Sequence, residues 1–287
     1  MKLLIVGCNG MLGTDMMIEA KKAGHEAAGI DFPDIDITQP QSVAAIIERT
    51  RPDAIVNCAA YTAVDACETS IKTAFDVNAR GTANLAAAAS ECGALFIHFS
   101  TDYVFDGLKT SPYVESDPPS PVTVYGKSKL EGERLALECC KQTVILRIAW
   151  LYGLAGANFV KTIRAAARKK AALGEPVRVV NDQWGTPTWT VPVCLQTLAL
   201  LSANQHGVFH ATCEGACTWF DFAVEILRHA GINATVVPCT TAEYPRPAPR
   251  PAFSVLENER LKTAGLNRMP EWKAALDGFF KAETGAA

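Results

Sequence analysis

The chain opens on an apolar run, Lys2-Leu3-Leu4-Ile5-Val6, that stops at Gly7. An unbroken apolar run of this length predicts a strand buried on both faces, as in a parallel sheet. Past Gly13 the period changes. Met16, Met17, Ala20 and Ala23 fall on one helical face. The alternation then repeats. Residues 25–30 read as a second strand. Thr38 opens a helix with Pro40 and Gln41 in its first turn, a capping-box pattern, and Val43, Ile46 and Ile47 form its apolar face. Residues 53–58, 94–99 and 143–148 read as three further strands. Between the first two of these lies a helical stretch through Ala74, Val77 and Leu85, interrupted at Gly81. Strands separated by helices predict an α/β fold, a doubly wound parallel sheet of the Rossmann type. Ligands bind such a sheet beyond the carboxyl ends of its strands.

The second half is less regular. A helix through Phe159, Ile163 and Ala166 leads to a strand at 177–180 and a polar, turn-rich loop at 181–188. A helix at 191–201 and a strand at 208–211 are expected to return to the first sheet. The pattern therefore predicts a cofactor-binding domain over 1–150, with about 190–212 returning to it. Residues 151–287 are then mainly a smaller C-terminal substrate-binding lobe. That lobe contains the segment Tyr244-Pro245-Arg246-Pro247-Ala248-Pro249-Arg250-Pro251, whose two arginines suggest phosphate contacts.

Composition narrows the function classes. The 287 residues are 49% hydrophobic and 20% charged, ordinary for a soluble globular protein. A net charge of −3 implies no broad attraction to nucleic acid. No apolar run is long enough to span a bilayer. The chain starts directly on a core strand, so no signal peptide is expected and the cytoplasm is the predicted location. Ten cysteines form no CxxC pair, and Cys213 and Cys217 lack a histidine pair at zinc-ligand spacing. They read as buried reduced thiols, with no disulfide and no zinc.

The chemistry gathers at the predicted strand ends. Gly7-Cys8-Asn9-Gly10-Met11-Leu12-Gly13 sits between strand and helix, the setting of a dinucleotide-binding turn. Gly7 permits the turn, Gly10 lets phosphate approach and Gly13 lets the helix pack on the strand. The helix N-terminus then faces the pyrophosphate. Asp31, ending the second strand, can accept hydrogen bonds from the adenosine ribose and disfavours a 2′-phosphate. Asp36 and Ile37 could pinch the adenine, although turn chemistry explains Asp36 equally well. The third strand ends in Ala59-Ala60-Tyr61-Thr62, the fourth in Phe99-Ser100-Thr101-Asp102-Tyr103 and the fifth in Ala149-Trp150. Ser120-Pro121 reads as the start of a helix carrying Tyr125 and Lys129 one turn apart on one face. A free tyrosine titrates near ~10, and a neighbouring ammonium favours its phenolate. Tyr125 is thus a candidate proton donor to a carbonyl, Lys129 its partner and a ribose ligand, and Thr101 a hydroxyl that polarises the carbonyl.

With these motifs the chain resembles the dTDP-4-dehydrorhamnose reductase family of extended short-chain dehydrogenases/reductases. The resemblance runs nearly end to end, through the GxxGxxG turn, Asn57-Cys58-Ala59-Ala60-Tyr61-Thr62, Ser100-Thr101-Asp102-Tyr103-Val104-Phe105 and Tyr125-Gly126-Lys127-Ser128-Lys129. The segments Asp182-Gln183-Trp184-Gly185-Thr186-Pro187-Thr188 and Arg250-Pro251-Ala252-Phe253-Ser254-Val255-Leu256 are its most specific marks. It implies reduction of a 4-keto sugar attached to dTDP, using NADPH or NADH, with Thr101, Tyr125 and Lys129 catalytic. It implies cofactor contacts at Gly10, Met11, Leu12, Asp36, Ile37, Ala60, Tyr61, Thr62 and Phe99, to which the reading of the turn and strand ends adds Gly7, Asp31, Ala59, Ser100, Tyr125 and Lys129. It implies sugar contacts at Thr101, Asp102, Tyr103 and Trp150, with Asn158 and Arg250 as further candidates. Two departures stand out: Ile148-Ala149 replaces a common Thr-Ser, and Glu257 replaces a common Asp. Some members bind magnesium at a dimer interface. Asp15 stands where one such acid sits, but a helix-dipole role is the favoured reading and no metal is predicted. The resemblance is compatible with a monomer or a homodimer. Two other readings remain: a 4-ketoreductase for another nucleotide sugar, and a non-catalytic subunit like the regulatory β subunit of methionine adenosyltransferase.

Overall fold

Each apolar run of the first half becomes a strand of one sheet. A computed structural model describes residues 1–285. The order of elements is β1 (Lys2–Val6), α1 (Met11–Lys22), β2 (Glu26–Ile30), α2 (Pro40–Thr50) and β3 (Ala54–Asn57). Two short helices follow, α3 (Val64–Cys67) and α4 (Ile71–Phe75), then a π-helical turn at Asp76–Gly81 that runs into α5 (Thr82–Cys92). Next come β4 (Leu95–Thr101), α6 (Val124–Cys139), β5 (Thr143–Ile148), β6 (Leu151–Tyr152) and α7 (Phe159–Ala172). The chain continues through β7 (Val177–Val180), β8 (Trp184–Gly185), β9 (Thr188–Trp189), α8 (Thr190–Ser202) and β10 (Gly207–His210). It ends with β11 (Cys217–Thr218), α9 (Trp219–His229), β12 (Val236–Cys239), α10 (Glu259–Thr263) and α11 (Trp272–Glu283).

The main sheet has the order β10-β5-β4-β3-β1-β2, and every pairing in it is parallel. The chain leaves β1 toward β2 on one side and resumes with β3 on the other. The crevice at that reversal lies beside the glycine turn. β10 pairs with β5 from Gly207↔Val144 to His210↔Arg147, so the late strand does join the first sheet.

Alternation along β1 explains why the sheet is covered twice. Leu3 and Ile5 enter one core, shared with Met16 of α1, Val193 of α8 and Phe222 of α9. Leu4 and Val6 enter the other, shared with Val43 of α2, Leu85 of α5 and Ala136 of α6. A strand with both faces buried must be apolar at every position, as this one is. Among the described residues, no helix is long and apolar enough to cross a membrane.

Local boundaries depart from the sequence expectation in three places. Gly81 does not interrupt its helix. The chain widens there to a π-turn, and Gly81 packs directly on Ile37, where a Cβ would approach Ile37 Cδ1 to 2.7 Å. Thr38 does not cap α2, because its N–H and hydroxyl are both bound to Asp36 Oδ1. Helix α6 starts not at Ser120-Pro121 but at Val124, capped by Thr123, whose Oγ1 accepts from the Gly126 N–H at 3.0 Å. The cap places Tyr125 in the first turn, beside the carboxyl end of β4.

Candidate active site

The glycine turn sits in a space that admits no side chain. Gly7 has φ +79°, and a Cβ there would meet Ala59 N at 2.6 Å; one on Gly13 would meet the Gly7 carbonyl oxygen at 2.1 Å. Helix α1 therefore starts hard against the turn. No side chain caps it, so its first N–H groups are open to an anion. This cradle fits a dinucleotide pyrophosphate.

Two adjoining cavities extend from the turn and share Gly10, Cys58, Ala59 and Ala60. The first, about 350 Å³, is lined by Gly7, Asp31, Asp36, Ile37 and Tyr61, with Phe32, Ile35 and Val77. Here carboxylates serve the backbone. Asp31 Oδ2 accepts from the Asn9 N–H at 2.9 Å and Oδ1 from the Phe32 N–H at 2.8 Å. Asp36 Oδ1 holds the Thr38 turn, so turn chemistry is certain for Asp36.

The second cavity, about 420 Å³, collects the residues at the ends of β3, β4 and β5. Met11, Leu12 and Thr62 line it toward the turn. Phe99, Ser100 and Thr101 line it from β4, Asp102 and Tyr103 from the turn after it, Tyr125 and Lys129 from α6, and Trp150 from just past β5. The Thr101 hydroxyl donates to Asp102 Oδ1 at 3.0 Å and accepts from the Tyr103 N–H at 3.2 Å. Tyr103 and Tyr125 meet edge to face, 5.6 Å between centroids at 75°.

Ionisation is displaced throughout this second cavity. Burial pushes the Tyr125 phenol well above its usual range, with the neighbouring Thr101 hydroxyl the main opposing influence. Burial raises Asp102 to about 6, against the opposing influence of the Ser254 and Thr101 hydroxyls. Lys129 is 2% exposed. Its Nζ donates to the Phe99 carbonyl at 2.6 Å and lies 3.1 Å from His98 Nε2. Burial lowers its pKa to about 7, against the pull of Glu133 one turn on. The lysine is thus held inward by β4.

Trp150 takes an unusual backbone conformation, φ +45°. Its indole is closely packed. It stacks on Trp219 at 3.6 Å and 9°. It also lies against Gly185, where a Cβ would come within 2.3 Å of the ring. Trp219 itself lines the cavity, positioned by Thr218, which forms a capping box with Asp221 at the start of α9.

Three expected residues have other partners. Asn158 lines neither cavity; it caps α7 by accepting from Lys161 N–H, and its amide donates to the Gly153 carbonyl. Arg250 also lines neither. Its guanidinium pairs with Asp65 at 2.9 Å and donates to the Ala248 carbonyl, while Arg246 pairs with the other oxygen of Asp65 at 3.1 Å. Asp15 lies beyond the first turn of α1, buried and bonded to the Thr190 hydroxyl of α8. It therefore joins two helices and does not face the dipole, and burial raises its pKa.

Residues that escaped the sequence reading act from behind the cavity. Asn78 bonds both the N–H and the carbonyl of Tyr61 and donates to Ser128, tying the β3 loop to α6. Asn57 and His98 support Lys129. Trp219 had only its place at a helix start, after a threonine, to mark it. Its stacking on Trp150 joins positions 69 residues apart in the chain.

The chain as a whole is similar to known proteins. The family model for the RmlD substrate binding domain matches residues 1–284. The chain is 38% identical to the dTDP-4-dehydrorhamnose reductase of Burkholderia thailandensis over 293 residues, covering 96% of this chain and 97% of that one. The crystal structure of a Clostridium acetobutylicum dTDP-4-dehydrorhamnose reductase superposes with a TM-score of 0.95 at 43% identity, covering 99% of this chain and 100% of that one. That of the Bacillus anthracis enzyme in complex with NADP superposes with a TM-score of 0.94 at 34% identity, covering 98% and 99%. By fold and near full-length similarity, the chain belongs to the dTDP-4-dehydrorhamnose reductase family, the one described as the RmlD substrate binding domain.

Proposed function

We propose that this protein reduces the 4-keto group of dTDP-4-dehydro-L-rhamnose, giving dTDP-L-rhamnose, with NADPH or NADH as cofactor. The observation that carries the reading is that Thr101, Tyr125 and Lys129 line one cavity, into which the glycine turn also opens. The similar B. anthracis reductase in complex with NADP supports the cofactor.

When bound, the nicotinamide supplies the hydride. Gly7, Gly10, Met11 and Leu12 hold the pyrophosphate, Asp31 the adenosine ribose, and Asp36 and Ile37 the adenine edge. Ala59, Ala60, Tyr61, Thr62, Phe99 and Ser100 complete that wall. Tyr125 gives its proton to the keto oxygen. Burial keeps the phenol protonated but makes it a reluctant donor, so the proton leaves only as the tyrosinate is stabilised by its neighbours. Thr101 exchanges its bond to Asp102 for one to the same oxygen and polarises the carbonyl. Lys129 anchors the nicotinamide ribose and, as an ammonium, stabilises the tyrosinate left behind. Asp102, Tyr103 and Trp150 orient the sugar. Arg250 acts on the diphosphate through the donors that Asp65 leaves free, and Asn158 supports the site only as a helix cap. In this division, residues 1–150 with about 190–212 hold the cofactor, and the remainder mainly holds the nucleotide sugar, in the cytoplasm.

The test is oxidation of NADPH and NADH with dTDP-4-dehydro-L-rhamnose generated in the assay, beside a panel of other 4-keto-6-deoxy sugar nucleotides. Turnover on the rhamnose precursor above the panel is the expected result. Cofactor binding with no oxidation by any of them would favour a regulatory protein.

A further inference from the structure

A buried polar chain runs behind the catalytic lysine. Asn57 ends β3, His98 lies in β4, and the two are register partners on adjacent strands. Both are almost wholly buried, at 1% and 0% exposure. Asn57 Oδ1 accepts from the Ala59 N–H at 3.1 Å. That bond fixes the amide, so Nδ2, the donor end, faces His98 Nδ1 at 3.1 Å. Nδ1 must then carry the lone pair. A neutral imidazole so held has its proton on Nε2, the nitrogen 3.1 Å from Lys129 Nζ.

An ammonium has only N–H bonds to offer and would meet the Nε2–H donor to donor. An amine has a lone pair to accept it, and keeps a hydrogen for the Phe99 carbonyl. We infer that His98, with its tautomer set by Asn57, is a positioning residue for Lys129 that presents an N–H to Nζ and favours the amine over the ammonium in the resting site.

The surroundings agree. From α6, Lys129 is faced by Tyr125 one turn before it and Glu133 one turn after; Glu133 is already paired with Arg147 of β5 at 2.7 Å. Asp102, just past β4, lines the same cavity. From β4 come His98 and the Phe99 carbonyl. Burial holds the imidazole well below its usual range, so it stays neutral. The inference builds on Lys129 as part of a reductase site. It adds that the lysine's charge is set from behind: the resting amine becomes the ammonium by taking up a proton from solvent as the tyrosinate forms.

Two measurements test this. In protein labelled with ¹⁵N-histidine, the His98 resonances, assigned by their loss in His98→Gln, should report the Nε2–H tautomer from pH 6 to 9. An Nδ1–H tautomer or an imidazolium would overturn the inference. The second measurement is the pH dependence of cofactor affinity and of kcat/KM. The wild type should show an inflection near neutrality. His98→Leu removes the donor and should move it upward by about one unit. Glutamine can accept from Asn57 through Oε1 and offer Nε2–H to the lysine, so His98→Gln should leave it in place. Equal shifts in both variants, or a shift in neither, would reduce His98 to a core residue. Should the leucine variant not fold, the tautomer and the glutamine profile still decide. A wild type that oxidises no NAD(P)H would instead strike the proposed reaction, while the tautomer and cofactor-affinity readings would remain.

Discussion

The two ends of the cleft use different materials. Around Asp31 and Asp36 the wall is mostly backbone, shaped by glycine and by carboxylates that bind neighbouring N–H groups. Around Tyr125 it is mostly side chain, with a phenol, a carboxyl and an amine buried together and each moved from its ordinary ionisation. Backbone can hold a ligand, but it cannot give up a proton. Reactive groups must be shifted by desolvation, and that costs stability. Changes at the catalytic end should therefore alter rate and stability, and changes toward the nucleotide ends should alter affinity.

The sharpest break is Tyr125→Phe. The ring and its contact with Tyr103 remain and only the proton donor goes. Turnover should fall by ~10²–10⁴-fold with cofactor affinity unchanged. Activity within a few-fold of wild type would remove Tyr125 as the acid.

Asp102→Asn tests the cost of the displaced groups. The Asp102 carboxyl is raised to about 6 from an ordinary 3.8. Its contribution to stability is fully present below the ordinary value and is lost as pH rises through the folded one. The variant has no such loss. Its stability relative to wild type should grow by about 2 kcal/mol between pH 4 and pH 7.5, while reduction slows. Urea unfolding at the two pH values measures it, and a pH-independent difference would mean that the carboxylate is not desolvated.

Arg250→Ala should raise the KM for the nucleotide sugar by about tenfold with kcat little changed, because uniform binding is lost. A collapse of kcat at constant KM would place Arg250 at the reacting sugar. The smallest effect belongs to the adenine end. Asp31→Asn removes a charge but keeps the turn, and should shift the NADPH-to-NADH preference about fivefold toward NADPH. No change in that ratio would confine Asp31 to its bonds with Asn9 and Phe32.

Most of the cofactor half is legible in the sequence because its signals are local. An apolar run, three glycines and a change of period specify β1, the turn and α1 without any distant contact. Tyr125 and Lys129 were readable by spacing, yet the start of their helix was not. Ser120 and Thr123 are both good caps, and Thr123 prevails where Gly126 can press against the Tyr103 carbonyl, a contact that leaves no room for a Cβ. Asn158 carries a similar ambiguity, since a capping asparagine and a ligand asparagine look alike in sequence. Trp219 and His98 were illegible because their roles depend on residues brought near only by packing.

The pairing of β10 with β5 has a consequence for biosynthesis. Residues 149–206 separate the end of one strand from the start of the other. While they emerge from the ribosome, β5 is an open parallel edge, with its hydrogen-bonding groups unpaired and its core partners not yet made. The sheet closes only when the chain has reached His210 of 287 residues. A nascent or truncated chain ending near residue 150 would therefore carry the whole glycine turn and still expose a sticky border. For this protein, the cofactor half is the first to be encoded but cannot be the first to be finished.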